Sequence, residues 1–446
     1  MKKFLLLILA SVLAVGLVAC GNASKKDDAA KSNDKQESAA DIPEKLDKPV
    51  EIEFWHAMTG GLEETLKEMT DEFNKSQDKI TVKLVSQGSY DDLSKKLMAS
   101  AKAKTSPVMS QAYEDWMTQY VENDLITDLT PYIEDKNHGW TKEELDDIVE
   151  VFRDANTWDN KMYGVPFNKS TEVLYYNTDM LKDKGLDVPT NWDEYKKAAA
   201  ALTTNEGGKK VIGLGLENSI GLSFPTYVRQ AGGTTISEDL KSVTFDTPES
   251  KDALTFLHDM VTEGTARLAG EDGFMSGPFG RGDVALYVGS SAGIGFVGAE
   301  AEGKINWDVA PLPKGKEAAT AFQGTNLVMY NSATPEEKLA AWEYMKFLAS
   351  PEQTVHWAKN TGYVPVRTSA LDLPEWKDYV KENPEYGVAA SQFDAGYYDP
   401  HIKGKSGINE ALKKEIQAVL LKQKDVDKGL ADLQSTAQSA VDKANK

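Results

Sequence analysis

The residues from Tyr163 to Asn177 constrain this chain more than any other stretch. Gly164 marks a turn, and Pro166 fixes φ and removes a backbone donor. Asn168, Ser170 and Thr171 form a small polar cluster. The run Val173, Leu174, Tyr175 and Tyr176 is apolar, β-branched or aromatic and reads as a buried strand. Two readings fit the stretch. One is an ordinary strand after a loop. The other is an extended crossing between two lobes, with a polar ligand held where short hydroxyls edge the backbone. The rest of the chain favours the crossing.

Residues 1–20 read as a secretory leader. Lys2 and Lys3 precede an apolar run from Phe4 to Val18, which is short for spanning a bilayer. Leu17, Val18, Ala19 and Cys20, followed by Gly21, resemble a bacterial lipobox. That resemblance implies cleavage before Cys20 and a lipid on its thiol. Cys20 is the only cysteine, so no disulfide can form within the chain. Residues 21–48 are polar and small, with almost nothing apolar before Ile42, and read as a disordered tether.

The remaining length, roughly 400 residues, exceeds one compact core and predicts two lobes. A formal charge of −20 with no basic stripe argues against nucleic acid as a partner. Nine Trp and 17 Tyr supply flat faces suited to sugar or polyol contacts, although most belong in a core.

Strands and helices alternate. Val50–Trp55, Ile80–Val85 and Pro107–Ala112 read as strands, with helices over Leu62–Asn74 and Ser89–Lys104 between them. After the organising stretch come helices at Met180–Lys184, Trp192–Leu202 and Lys251–Glu263, and strands at Val211–Leu216 and Asp283–Val288. Further strands are expected at Ile305–Ala310 and Phe322–Met329, with a helix over Pro335–Ser350 and an extended crossing at Gly362–Val366. Beyond about residue 370 the chain reads as helical and polar. This is an α/β pattern with mainly parallel sheets, in which ligands sit at the carboxyl ends of strands. Tyr90 and Glu114 both follow strand ends, although Glu114 also suits a helix start. The turn Ser290–Ser291 follows another strand and offers hydroxyls and amides.

Enzymatic signatures are missing. The five histidines lack metal-ligand spacing, and there is no P-loop or nucleophile elbow. The glycines from Gly293 to Gly298 match a dinucleotide fingerprint but lie beyond a strand end, so no nucleotide cofactor is expected. No carboxylate pair stands out for glycoside hydrolysis. A binding protein without metal or cofactor is the expectation, not an enzyme.

The chain resembles the extracellular solute-binding proteins of ABC importers, in the maltose-binding-like class, and within it the glycerol-3-phosphate-binding branch. The likeness runs from about residue 50 to about 425. It rests on Phe54 to Met58, Gly88 to Tyr90, Ala112 to Glu114, Pro166 to Thr171 with Leu174 to Asn177, Ser290–Ser291, and Thr361 to Pro365. It implies an α/β, two-lobed periplasmic-binding-protein-like (Venus flytrap) fold of class II, hinged near 164–171 and 362–366. The implied division is 49–165 and 305–363 for the first lobe, and 166–304 and 364–446 for the second.

Carried over by position, the resemblance implies that Tyr90 and Glu114 contact ligand hydroxyls. Ser170 and Ser290 would donate to phosphate, Gly324 would offer its amide, and Tyr363 would close the site. Two departures stand out. A tryptophan pair expected after Leu216 is missing, and the arginine expected near the C-terminus falls at Asn409, with Lys403 and Lys405 nearby. A lysine cannot supply the same bidentate fork. The implied function is capture of glycerol-3-phosphate or a related polyol by a lipid-anchored monomer. It would sit on the extracytoplasmic face of a Gram-positive-type cell and deliver its ligand to an ABC permease. The alternatives are a sugar or oligosaccharide ligand, a glycerophosphodiester, and, from another class, a secreted glycosidase-like enzyme.

Overall fold

The structure, a computed structural model, describes residues 42–446. The leader at 1–20, the lipidation site Cys20 and residues 21–41 of the tether lie outside the described residues. Residues 42–48 correct one expectation: they do not belong to a free tether. Ile42 and Leu46 pack on the core, and His138 Nε2 donates to the Glu44 carbonyl at 3.1 Å.

The first sheet begins with β1 (Val50–His56), β2 (Ile80–Ser86) and β3 (Met109–Ala112), with β1 parallel to both others. Helix Gly61–Ser76 connects β1 to β2 and buries Leu66, Met69 and Phe73 at helical spacing. Helix Tyr90–Ala103 follows β2. Ser89 caps it, accepting from the Asp92 amide, while Asp92 accepts from the Ser89 amide. The expected strand at 107–112 is shorter, and Tyr113 caps a helix, Glu114–Glu122, that the sequence reading left out.

The organising stretch forms β4 (Val165–Asn177), 13 residues long. Its first half pairs antiparallel with β8 (Thr320–Met329), from Leu327 opposite Val165 to Phe322 opposite Thr171. Its second half pairs with two other strands. On one edge is β6 (Val284–Ser290), from Ser290 opposite Glu172 to Leu286 opposite Tyr176. On the other is β7 (Trp307–Ala310), from Ala310 opposite Leu174 to Trp307 opposite Asn177. The partners change at Thr171 and Glu172, so β4 runs from one lobe into the other. β5 (Lys209–Leu216) lies parallel to β6. Among the described residues eleven strands join into one sheet, and Thr157–Trp158 with Lys161–Met162 form a separate two-stranded one.

The lobe boundaries differ from the expectation in two places. β7 pairs beside β6 in the second lobe, so residues 307–310 do not begin the second part of the first lobe. Helix Pro374–Glu382 packs on helix Pro351–Thr361, which packs on helix Gly61–Ser76, so this segment stays with the first lobe. The chain returns to the second lobe later. Helices Lys405–Leu420 and Val426–Ala444 pack together and against helices Ile220–Gln230 and Pro248–Thr262.

Helix Pro335–Leu348 carries a capping box, Thr334 with Glu337, and buries Leu339, Trp342, Met345 and Leu348 under β1. Truncating one of the aliphatic members to alanine costs about 2–5 kcal/mol in a well-packed core. The region from Gly293 to Gly298 is a 3-10 turn running into helix Ile294–Ala301.

Candidate functional site

Two adjoining cavities open where the strands of the two lobes meet. The first, about 410 Å³, lies on the second lobe. Its floor is the crossing itself, Ser170 to Glu172, with Ala321 and Gln323 from β8. Its walls come from Glu217, Ser223, Tyr287, Ser290 and Gly293. Phe274 and Phe296 also line it, and they are 74% and 61% exposed. The second cavity, about 280 Å³, lies between lobes and shares Leu222 and Gln323 with the first. Tyr90, Tyr113, Glu114, Asp115 and Trp116 line it from the first lobe, and Tyr398, Asp399, His401, Lys405, Asn409 and Lys413 from the other side.

Five of the seven expected site residues divide between these cavities. Ser170 and Ser290 meet in the first: Ser290 Oγ donates to Ser170 Oγ at 3.0 Å. Tyr90, Glu114 and Asn409 line the second. The Tyr90 hydroxyl accepts from Asn168 Nδ2 at 2.9 Å, and its ring packs edge-on against Tyr113. Burial pushes its ionisation well above the ordinary tyrosine value, so it stays a neutral hydroxyl. Glu114 Oε1 receives the Lys169 ammonium and Asn326 Nδ2, the latter at 3.1 Å. Asn409 Nδ2 points at Asp115 Oδ2, 3.5 Å away.

Gly324 and Tyr363 line neither cavity. Gly324 has φ 138°, and a Cβ there would come within 1.9 Å of the Asn168 carbonyl oxygen. Its carbonyl accepts from Lys169 Nζ at 3.2 Å. Glycine is therefore required for β8 to approach β4. The Tyr363 ring stacks on Trp357, with its hydroxyl beside Asn168 and Tyr90.

The two lysines considered as countercharges are both engaged. Lys403 is 3.8 Å from Glu122 and lines neither cavity. Lys405 lines the second cavity but pairs with Asp399 at 2.7 Å. His401 adds no positive charge near neutrality. It stacks on Trp158 at 3.8 Å, its Nε2 donates to the Ala155 carbonyl, and burial pulls its pKa below the usual value.

The arrangement has known counterparts. A family model described as a bacterial extracellular solute-binding protein matches residues 68–385. The chain belongs to the bacterial extracellular solute-binding proteins. The sn-glycerol-3-phosphate-binding periplasmic protein UgpB of Yersinia pestis is 26% identical over 389 residues, 83% of this chain and 87% of that protein. Two solved structures share the two-lobe fold. The cyclic alpha-maltosyl-1,6-maltose binding protein from Arthrobacter globiformis matches with TM-score 0.77 and 24% identity over 89% of this chain and all of that one. UgpB from Mycobacterium tuberculosis, in complex with glycerophosphocholine, matches with TM-score 0.78 and 22% identity over 89% and 100%. As a member of this family the solute-binding protein serves an ABC importer on the extracytoplasmic side.

The solute-binding protein's cleft is acidic. Six carboxyl side chains line the two cavities, namely Asp91, Glu114, Asp115, Glu172, Glu217 and Asp399, against two lysines, Lys405 and Lys413. Burial raises the Asp115 pKa, with Glu114 adding to the rise and Lys405 opposing it. Sequence reasoning missed Glu172, Glu217, Phe274, Phe296 and Lys169. Glu172 carries a signal in hindsight: it is a carboxylate inside a strand of hydroxyl and apolar residues. Phe274 carries another, standing just after Gly270 and Gly273 in a loop of positive φ.

Proposed function

We propose that this solute-binding protein captures a carbohydrate and hands it to its permease. The observation that carries this reading is the cleft's lining. Aromatic rings stand on both sides, Tyr90, Tyr113 and Trp116 against Tyr398 in one cavity, and Phe274 and Phe296 in the other. Between them are acceptor carboxylates that suit sugar hydroxyls. A dianionic phosphate would face several carboxylates. At an effective dielectric of 20, each such encounter 4–8 Å away costs about 2–4 kcal/mol per pair of unit charges.

A second reading, glycerol-3-phosphate or a glycerophosphodiester, is favoured by the relatives and by the converging hydroxyls of Ser170 and Ser290. Calorimetric titration with maltooligosaccharides, glycerol-3-phosphate and glycerol separates the two. Micromolar binding of a saccharide supports the carbohydrate reading. Glycerol-3-phosphate binding far tighter than glycerol, with no saccharide heat, overturns it.

The role is binding rather than hydrolysis. Glu172 and Glu217 line one cavity, but both come from the second lobe. One oxygen of Glu172 is held by Ser223 Oγ, and those of Glu217 are held by the Tyr287 hydroxyl and the Met275 amide. Release of reducing ends from an oligosaccharide would sink this part. Cys20, by the motif around it, anchors the protein to the outer face of the membrane through lipid. Replacing it with alanine should release the protein into the medium, and retention of that variant on membranes would contradict the anchor.

A further inference from the structure

The two cavities differ in what their walls leave free. In the first, most hydroxyl donors are spent on neighbours. Ser223 Oγ donates to Glu172 Oε1 at 2.5 Å, and the Tyr287 hydroxyl to Glu217 Oε1 at 2.6 Å. Thr171 Oγ1 donates to the Ala321 carbonyl at 2.8 Å, and Ser290 Oγ to Ser170 Oγ at 3.0 Å. Thr226 pairs with the Tyr397 hydroxyl, and the Met275 amide is shared by both oxygens of Glu217. The second oxygen of Glu172 is buried beside Tyr195 and Tyr227 and has no surface toward the cavity. Of the polar side chains lining this cavity, only Ser219, Ser276 and Gln323 make no hydrogen bond among the described residues.

What the first cavity offers instead is carbon. Phe274 and Phe296 line it as exposed rings, and neither touches another aromatic ring among the described residues. Leu222, Ala292 and Ala321 extend the apolar wall. Large rings left facing water at a cavity rim mark a surface that something covers. The second cavity is the reverse. Trp116 Nε1, the Tyr398 hydroxyl and the Asp91 carboxylate line it without a hydrogen-bond partner among the described residues. Leu222 and Gln323 belong to both cavities, so one ligand can reach both.

We propose that the ligand is an amphiphilic saccharide. Its sugar lies in the second cavity, and an apolar aglycone, aryl or short alkyl, lies in the first against Phe274 and Phe296. The inference rests on the carbohydrate reading and narrows it. A pyranose in the first cavity could lay one face on a phenyl ring. Its edge hydroxyls would then exchange water for donors that are already spent, and a buried polar group without a partner is costly. An aryl or alkyl group makes no such demand. Its burial takes its own apolar surface and that of the two rings out of water. An aryl group adds the offset or edge-on contact that aromatic rings favour.

The test is calorimetric titration of the intact protein with the methyl and phenyl glycosides of glucose, galactose, maltose and cellobiose, and with glycerol-3-phosphate alongside. For a sugar that binds, the phenyl glycoside should bind at least tenfold tighter than the methyl glycoside. In the double variant carrying Phe274→Ala and Phe296→Ala, both at exposed rings, that ratio should fall to threefold or less. An undiminished ratio in the double variant puts the apolar group elsewhere and overturns the assignment. Equal or weaker binding of the phenyl glycosides overturns the proposal and leaves the carbohydrate reading standing. Absence of heat from every glycoside overturns it as well, and glycerol-3-phosphate binding in that same series overturns the carbohydrate reading too.

Discussion

Lys169 and Glu114 form an ion pair where the crossing strand passes beside the start of helix Glu114–Glu122. The lysine side chain is 1% exposed and the glutamate 18%. Burial pulls the Lys169 pKa down, and Glu114 pulls it back up. Asn326 from β8 holds the same carboxylate oxygen, and the Gly324 carbonyl takes a further ammonium proton. Three segments distant in sequence are thus tied at one buried point next to the cleft. The Glu114 oxygen bonded in this way is committed to the fold.

Breaking this pair from one side should be expensive. Lys169→Met leaves Glu114 without its partner, and removal of one member of a buried pair costs about 3–5 kcal/mol. Pairing Lys169→Met with Glu114→Gln removes both charges, and the double variant should recover most of that loss. Urea unfolding of the three variants checks this. A double variant no more stable than Lys169→Met alone would show that the pair is not the source of the cost.

This pair also marks how far the sequence could be read. The crossing strand was legible because Pro166, the hydroxyls and the Val173–Tyr176 run are contiguous. Helices with caps, such as those behind Ser89 and Thr334, were legible for the same local reason. Ser170 and Ser290 were expected at one anion site on resemblance, and the structure does bring their hydroxyls together. What escaped was set by pairing between distant segments. Nothing local in Trp307–Ala310 says that it pairs beside β6 in the second lobe. Helix Ile220–Gln230 holds Pro225 inside it, a residue that locally argues against a helix, and the helix is fixed by packing against helix Lys405–Leu420. Glu172 and Glu217 look like ordinary charges until the fold places both in one cavity.

Glu172 should make stability depend on pH in a defined direction. Its folded pKa is about 7 against an ordinary 4.5, chiefly because burial penalises the carboxylate. Below about 4.5 it is protonated in both states and contributes no pH dependence. As pH rises toward 7 the unfolded chain releases the proton and the folded one keeps it, so stability is lost, and above about 7 the full penalty applies. The shift corresponds to about 3 kcal/mol. Glu172→Gln should therefore stabilise the ligand-free protein by about that amount at pH 8 and by almost nothing at pH 4.5. Chemical denaturation at the two pH values measures it, and an equal gain at both would refute the assignment.

Gly324 tests the close approach of β8 to β4. The strands pair Gly324 with Lys169, and the register shifts just afterwards, between Thr325 and Asn326. Alanine at 324 meets two penalties at once: a φ of 138°, which L residues rarely adopt, and a Cβ 1.9 Å from the Asn168 carbonyl oxygen. Neither neighbour is a flexible side-chain tip, so the strands themselves must separate, which loosens Lys169 from the Gly324 carbonyl. We expect Gly324→Ala to cost on the order of 3 kcal/mol or more. Gly295, inside helix Ile294–Ala301 with open space around its Cβ position, provides the contrast. Gly295→Ala should stabilise by about 0.5–1 kcal/mol through helix propensity. Thermal and urea unfolding of both variants in parallel decides the matter. A Gly324→Ala protein as stable as the parent would mean that the strands do not approach as closely as this geometry requires.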